Sequence, residues 1–266
     1  MYTTFIRPYF EYASEVWDGL TNFDSERLEK CQIEALRIIT GLPIYCSHSS
    51  LYFETGLESL KERRKNRKLC LMYKIKNNQT PDYVSNLMPP SVSDMTSYNL
   101  RNRNHISTPF CRLNIYRNSF VPSSISMWNQ LSDDVRNSES LRKFKSKINS
   151  LNKLPKYFNT GKRNLSIIHT RLRHGVSKLN YDLFRVNLLH ESSCMCGYKR
   201  EDSEHFFISC PLYFYDRQQL INKMLSLNFT FDIGTILFGD TERPNKENED
   251  LFKAVHTYIS STKRFD

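Results

Sequence analysis

The chain has 266 residues, 39% of them hydrophobic and 13% aromatic, and a net charge of +10. That length can bury a substantial core in one large domain or two small ones, and the basic balance fits a polyanionic partner, most often nucleic acid. Eight scattered glycines with no G-x-G-x-x-G or G-x-x-x-x-G-K-[ST] argue against a nucleotide-binding loop, and no run of about 18 apolar residues is present to span a membrane.

The first third reads as helices. Ile6, Phe10, Ala13, Val16 and Trp17 follow a helical spacing, with a start or kink at Pro8. A second helix is predicted from about Asp24 to Thr40, with Leu28, Cys31, Ala35, Leu36 and Ile39 as its inward stripe and Gly41 and Pro43 as its stop. A short helix around Leu51 to Thr55 ends at Gly56. A longer one runs from about Leu57 to Lys76, with Leu60, Leu71, Met72 and Ile75 facing inward. Another short helix lies near Asp82 to Leu87. From Ser91 to Phe120 helical periodicity fades, and Asn99-Leu100-Arg101 can pair with Leu113-Asn114-Ile115-Tyr116 as a short hairpin.

Helical turns around Trp128 follow. Ser138 or Ser140 caps a basic helix with Leu141, Phe144 and Ile148 inside. Residues 149–164 are rich in Asn, Lys, Pro and Gly and form the best linker candidate. Beyond it come a helix with Leu165, Ile168, His169 and Leu172, another over Tyr213 to Leu225, a short apolar turn at 236–238, a polar loop at 241–250 and a final helix with Leu251, Phe252, Val255 and Ile259. The expected fold is mainly α: a helical N-terminal region at 1–88, an irregular connector with a short hairpin and a basic helix at 89–150, and a small helical metal module at 151–266.

The most specific motif is C-x-C-G-x7-H-x4-C, formed by Cys194, Cys196, His205 and Cys210. Three thiolates and one imidazole are a complete tetrahedral set for Zn2+, with no position left for water, so such a site is structural and not catalytic. Gly197 suits the tight turn that brings backbone amides to the sulfurs. The competing reading is three reduced, buried thiols and an unrelated His. Phe206 and Phe207 are expected to pack the module's small core. The remaining cysteines, Cys31, Cys46, Cys70 and Cys111, stand alone, and the total of seven is odd, which argues for a reducing compartment. The start, Met1-Tyr2-Thr3-Thr4-Phe5, does not read as a signal peptide. The expected location is intracellular, in nucleus or cytoplasm.

The positive excess lies in residues 81–200, while 201–266 is acidic. The densest basic run, Lys61 to Lys68, has six basic residues in eight. On a helix Lys61, Arg64, Lys65 and Lys68 share one face, with Arg63 and Arg67 in an adjacent row. These are candidate phosphate contacts; a merely solvated helix face is the alternative. Tyr198, Lys199 and Arg200 beside the metal motif are candidate contacts to a single strand.

In their order and spacing these blocks resemble the C-terminal region of non-LTR (LINE-type, jockey-like) retrotransposon polyproteins, downstream of the reverse transcriptase palm. The similar blocks are Phe5-Ile6-Arg7-Pro8 with Glu11-Tyr12-Ala13 and Val16-Trp17; Leu28-Glu29-Lys30-Cys31-Gln32 through Gly41; Tyr98-Asn99-Leu100-Arg101; Ser119-Phe120-Val121-Pro122; Trp128-Asn129-Gln130-Leu131; Phe144-Lys145; His169-Thr170-Arg171-Leu172-Arg173; and the Cys/Cys/His/Cys set. The resemblance implies thumb-like helices, a connector and a zinc module from such a polymerase, gripping RNA or DNA together with upstream parts of the parent polyprotein. The family's paired palm aspartates have no counterpart: Asp133-Asp134 stands in the wrong sequence and the wrong place. Neither G-x-S-x-G, H-E-x-x-H nor C-x-x-C occurs, so the chain is not expected to be an enzyme by itself. The rival expectations are a zinc-stabilised protein-interaction scaffold and a decayed fragment without function.

Overall fold

The computed structural model describes residues 2–95, 98, 103–149 and 154–266. Within these the chain is mainly helical, and the one β pairing is an isolated bridge between Ser91 and Ile106. After a wide turn at Tyr2–Ile6 come α1 (Arg7–Glu11), α2 (Ser14–Trp17), α3 (Asn22–Thr40), α4 (His48–Thr55), α5 (Leu60–Lys76), α6 (Asp82–Ser85), α7 (Val92–Met95) and α8 (Asn114–Asn118). Then follow α9 (Phe120–Asn129), α10 (Asp133–Arg136), α11 (Leu141–Ile148), α12 (Arg163–Arg173), α13 (Asn180–Arg185), α14 (Phe214–Ser226), α15 (Ile233–Phe238) and α16 (Asn245–Ser261). The chain forms two compact units, Met1–Gln32 with Glu58–Leu151, and Ile33–Leu57 with Asn152–Asp266. The chain-order region 1–88 is thus divided between them, and α3 contributes to both.

The first unit is built on α5. Ser59 caps it by accepting from the Glu62 amide at 3.2 Å, so the helix starts three residues later than the predicted Leu57. Its C-terminal half buries Leu69, Met72, Tyr73 and Ile75 with Ile106, Ile125, Trp128 and Phe144. The Phe144 ring lies 4.8 Å from Tyr73 and 5.7 Å from Trp128, and the Tyr73 hydroxyl donates to the Ser138 carbonyl at 2.7 Å. Asn129 stands in for a partner strand: its side chain accepts from the Ile106 amide at 3.1 Å and donates to the Ile106 carbonyl at 2.9 Å.

Several predicted features of this unit are corrected. The stripe Ile6, Phe10, Ala13, Val16 and Trp17 is not a buried face. Ala13 adopts a left-handed φ of 48°, which breaks the helix into α1 and α2. What these turns bury is Ser14 and Glu11, the latter because the facing side of α5 presents Arg63 and Arg67. Along α3 the buried positions are Gln32, Ile33, Leu36 and Thr40, a face rotated from the predicted one, and Cys31 is exposed. Gln32 sets that rotation: it accepts from the Tyr2 hydroxyl at 2.5 Å and donates to the Glu58 carbonyl at 2.9 Å. The 113–116 arm of the predicted hairpin falls in helix α8, closing Arg117 N–H onto the Leu113 carbonyl at 3.0 Å. The opposite arm, 99–101, lies outside the described residues.

The second unit packs α12, α14, α15 and α16 around Phe206, Phe207, Leu220, Met224, Phe252 and Tyr258. The predicted loop at 241–250 is shorter than expected, because Pro244 starts α16 at Asn245. Segment 33–57 adds a satellite cluster of Ile33, Leu36, Leu42, Cys46 and Leu51. Gly41 ends α3 at φ +69°, and a Cβ there would stand 2.8 Å from the Ile167 side chain, so glycine is required. The Gly41 carbonyl accepts two bonds from the Arg171 guanidinium, at 2.9 and 2.7 Å.

This unit also buries polar groups. Glu54 pairs with Arg173 at 2.6 Å and His174 at 2.9 Å, and the Arg173 guanidinium lies 3.9 Å from the Phe158 ring centre. His169 donates from Nε2 to the Ile236 carbonyl at 3.0 Å, and its Nδ1 lies 3.3 Å from His256 Nε2. Burial, seconded by Arg173, pushes His256 from 6.5 down to about 4, and burial holds His169 well below its ordinary range. Burial raises Glu54, but His174 and Arg173 outweigh it and leave the carboxyl below its ordinary value. The signs agree. Below about 6.5 the unfolded chain takes up a proton that folded His256 refuses until about 4. Stability is full above that window and falls through it, by up to about 3 kcal/mol from His256 alone. Asp182, raised by burial, offsets part of this loss. Thermal melts followed by circular dichroism from about pH 8 to pH 4 should show the decline; a flat profile would contradict it.

Candidate metal centre

The motif at 194–210 is assembled by two local devices. In the first, residues 192–201 fold back on themselves: the Glu201 amide donates to the Ser192 carbonyl at 2.8 Å, Cys194 to Tyr198 at 2.8 Å, and Gly197 to Cys194 at 2.9 Å. Gly197 supplies the required φ of +86°, and open space surrounds the position a Cβ would take, so backbone conformation alone demands glycine. In the second, Asp202 accepts from the His205 amide at 2.8 Å and starts a wide turn at His205–Ser209, which the Cys210 amide closes onto the His205 carbonyl at 2.8 Å. Phe206 and Phe207 are fully buried in the unit core, as expected, and the Tyr258 hydroxyl donates to the Phe206 carbonyl at 2.6 Å.

The four side chains therefore converge. Their ligand atoms all lie within 4.8 Å of one another, and three of the four residues are buried. The Cys194 and Cys210 sulfurs are 3.7 Å apart, and the Cys196 sulfur is 3.3 Å from His205 Nε2. Tetrahedral bonds of about 2.3 Å to sulfur and about 2.0–2.1 Å to nitrogen require edges of roughly 3.8 and 3.6 Å. The observed separations fit a metal ion of that size. The cluster can hold one.

The surroundings fit a cation as well. Backbone amides of Cys196, Tyr198 and Leu212 hydrogen-bond to the sulfurs of Cys194, Cys196 and Cys210, which favours thiolates. In the metal-free cluster, burial pushes the Cys194 thiol up to about 12 and raises Cys210. Burial also acts to raise Cys196, but the Tyr198 amide and the neighbouring thiols leave it below its ordinary value. Three thiolates cannot crowd together without positive charge among them. His205 is lowered by burial, which favours the neutral ring; its Nδ1 lies 3.1 Å from Ser209 Oγ, and with the proton on Nδ1 in that contact, Nε2, 3.3 Å from the Cys196 sulfur, is free to be the ligand atom. The Tyr198 ring stacks on the His205 ring at 4.4 Å and 12°.

A second layer escaped the sequence reading. Glu201 is buried, grips Arg264 through bonds of 2.8 and 2.6 Å and accepts from the Asn180 amide at 2.9 Å. Arg217 donates to the Cys210 carbonyl at 2.7 Å. Nothing local links Glu201 to a residue 63 positions away, so only the fold reveals this pair.

The candidate nucleic-acid residues are not one exposed row. Lys61 and Lys65 are exposed on α5, but Arg64 and Lys68 are buried against Asp18, at 2.5 and 2.7 Å. Arg63 pairs with Glu11 at 2.5 Å, and Arg67 pairs with Glu11 at 3.4 Å and Glu15 at 3.0 Å. The first half of α5 has few apolar residues, so it docks through aliphatic stems and ion pairs to the N-terminal turns. The expectation that Arg64 and Lys68 lie outside the packed face is thereby corrected. At the metal motif, Tyr198 is half-exposed and Lys199 is exposed, while Arg200 pairs with Asp202 at 2.6 Å and lies 4.0 Å from the Tyr181 ring centre. Among the described residues no helix is long and apolar enough to cross a membrane. Compared with known proteins, the chain matches no family model, no curated protein and no solved structure.

Proposed function

We propose that the four-residue cluster is a structural zinc site and that the chain binds RNA or DNA, as the C-terminal, non-catalytic part of a non-LTR retrotransposon reverse transcriptase would. The choice of zinc rests on the donor set. Three soft thiolates and one imidazole within 4.8 Å suit Zn2+, and magnesium and calcium prefer oxygen. When bound, the ion supplies a cross-link that holds two turns of the knuckle together. This chain's residues do the rest: Ser209 orients His205, backbone amides stabilise the thiolates, and Glu201 ties the turn to Arg264.

Nucleic-acid binding is supported by the net charge of +10 and by exposed Lys199 beside a half-exposed Tyr198 ring on the metal knuckle, a cation with an adjacent stacking surface. Binding should be sequence-tolerant and fall steeply with salt, by about 0.7 log units per log unit of salt for each phosphate contact on a single strand. Fluorescence anisotropy of the full chain with RNA and DNA oligomers over a salt series measures this. Lys199→Glu should remove about one contact from the slope. Salt-independent binding, or no binding at all, would refute the reading and leave an interaction scaffold as the better description.

A further inference from the structure

The first unit contains a cleft of about 900 Å3 between the start of α5 and the segments 108–111 and 117–127. That is at the upper end of ligand pockets, which run about 300–1,000 Å3. Asp18 and Glu62 are its carboxylates, against five cations: Lys61, Arg64, Lys65, Lys68 and Arg117.

The floor carries the decisive feature. The single Asp18 carboxylate serves two buried cations, accepting from Arg64 Nε at 2.5 Å and pairing with Lys68 Nζ at 2.7 Å. Their other partners are neutral: Ser25 Oγ accepts from Arg64 at 2.7 Å, and Ser123 Oγ from Lys68 at 3.1 Å. Arg64 and Lys68 are 2% and 3% exposed, and Arg64 Nη1 is buried with no hydrogen-bond partner among the described residues. Two buried positive charges against one negative charge is a costly arrangement. An anion in the cleft would relieve it. At the rim, Lys65 is already paired with Glu62 at 3.3 Å, whereas Lys61 is exposed and Arg117, among the described residues, bonds to neutral oxygens of Asn114 and Cys111. Phe110, a residue 90% exposed, lines the same cleft beside Pro109. A flat apolar face next to an uncompensated positive floor matches a base next to a phosphate.

We propose that this cleft is the seat of a single-stranded nucleic acid, with backbone phosphate over the Arg64 and Lys68 floor, steered by Lys61 and Arg117, and a base stacked on Phe110. The inference rests on the nucleic-acid reading above and places the strand in the first unit, whereas the metal cluster belongs to the second. Arg64 and Lys68 act mainly as buried charge; Lys61, Arg117 and Phe110 are exposed and can be altered without disturbing packing.

The test uses the zinc-loaded full chain and a fluorescein-labelled oligothymidine of about ten nucleotides, within the span of known single-strand sites. Phe110→Ala is expected to weaken binding by about fivefold to a hundredfold at constant salt, the usual worth of one stacked base. Lys61→Glu with Arg117→Glu should lower the salt slope by about 1.4, two single-strand contacts. If these variants bind like wild type while Lys199→Glu weakens binding, the cleft is refuted and the nucleic-acid reading stands. If wild type does not bind the oligomer, both fall. Competition with tripolyphosphate and with a polyglutamate peptide identifies the chemistry. Displacement by either at concentrations matching the oligomer, with no effect of Phe110→Ala, would show a plain anion site and overturn the proposal.

Discussion

Chelating the metal is expected to unfold the knuckle at 192–213 and to loosen the second unit. Zinc-finger peptides draw about 10–16 kcal/mol from the ion, comparable to a small domain's whole stability. Without it, three thiols, two of them raised by burial, remain around a neutral imidazole, and the two turns are held by backbone bonds, the Tyr198–His205 stack and the Glu201 and Arg217 contacts. The readout is selective. Both tryptophans, Trp17 and Trp128, lie in the first unit, so intrinsic fluorescence follows that unit while circular dichroism follows the whole chain. Chelation should reduce helicity and leave the tryptophan signal near its native value. Helicity unchanged after complete metal removal would mean that the cluster is not structural.

The second large effect concerns Asp18. Asp18→Asn keeps the shape but leaves Arg64 and Lys68 buried with no carboxylate between them, and is expected to destabilise the first unit by about 3–5 kcal/mol. Arg64→Glu should be as damaging, since it sets two carboxylates side by side. Lys65→Glu, at an exposed site, should change stability by less than about 1 kcal/mol. Urea titration followed by tryptophan fluorescence compares the three. Equal midpoints would show that the α5 run is a solvated face after all.

The helical class, most helix spans and the Cys/His cluster that could hold a metal were legible in the sequence because each rests on local information. Apolar spacing, Ser and Pro starts and Gly41, Gly56 and Gly239 stops act within one turn of chain, and the cluster spans only 17 residues. What was not legible depends on distant partners. Gln32 turned the α3 face through Tyr2 and Glu58. Asp18 drew Arg64 and Lys68 inward across some 50 residues, against the reading of charge as surface. The Leu113-Asn114-Ile115-Tyr116 alternation looked like a strand, but helix α8 satisfies its backbone locally. Arg117 and Phe110 carry no motif at all; only the cleft brings them together with α5.

The most direct test of the central claim is metal binding by the purified chain, with cobalt as a spectroscopic stand-in for zinc. The account predicts one equivalent of tightly held zinc. Cobalt exchange should give the intense visible bands of a tetrahedral site and a near-ultraviolet thiolate-to-metal band. Cys194→Ser, Cys196→Ser, His205→Ala or Cys210→Ser should each abolish or shift them. A chain that purifies and folds without stoichiometric metal, or cobalt spectra that ignore all four substitutions, would contradict it.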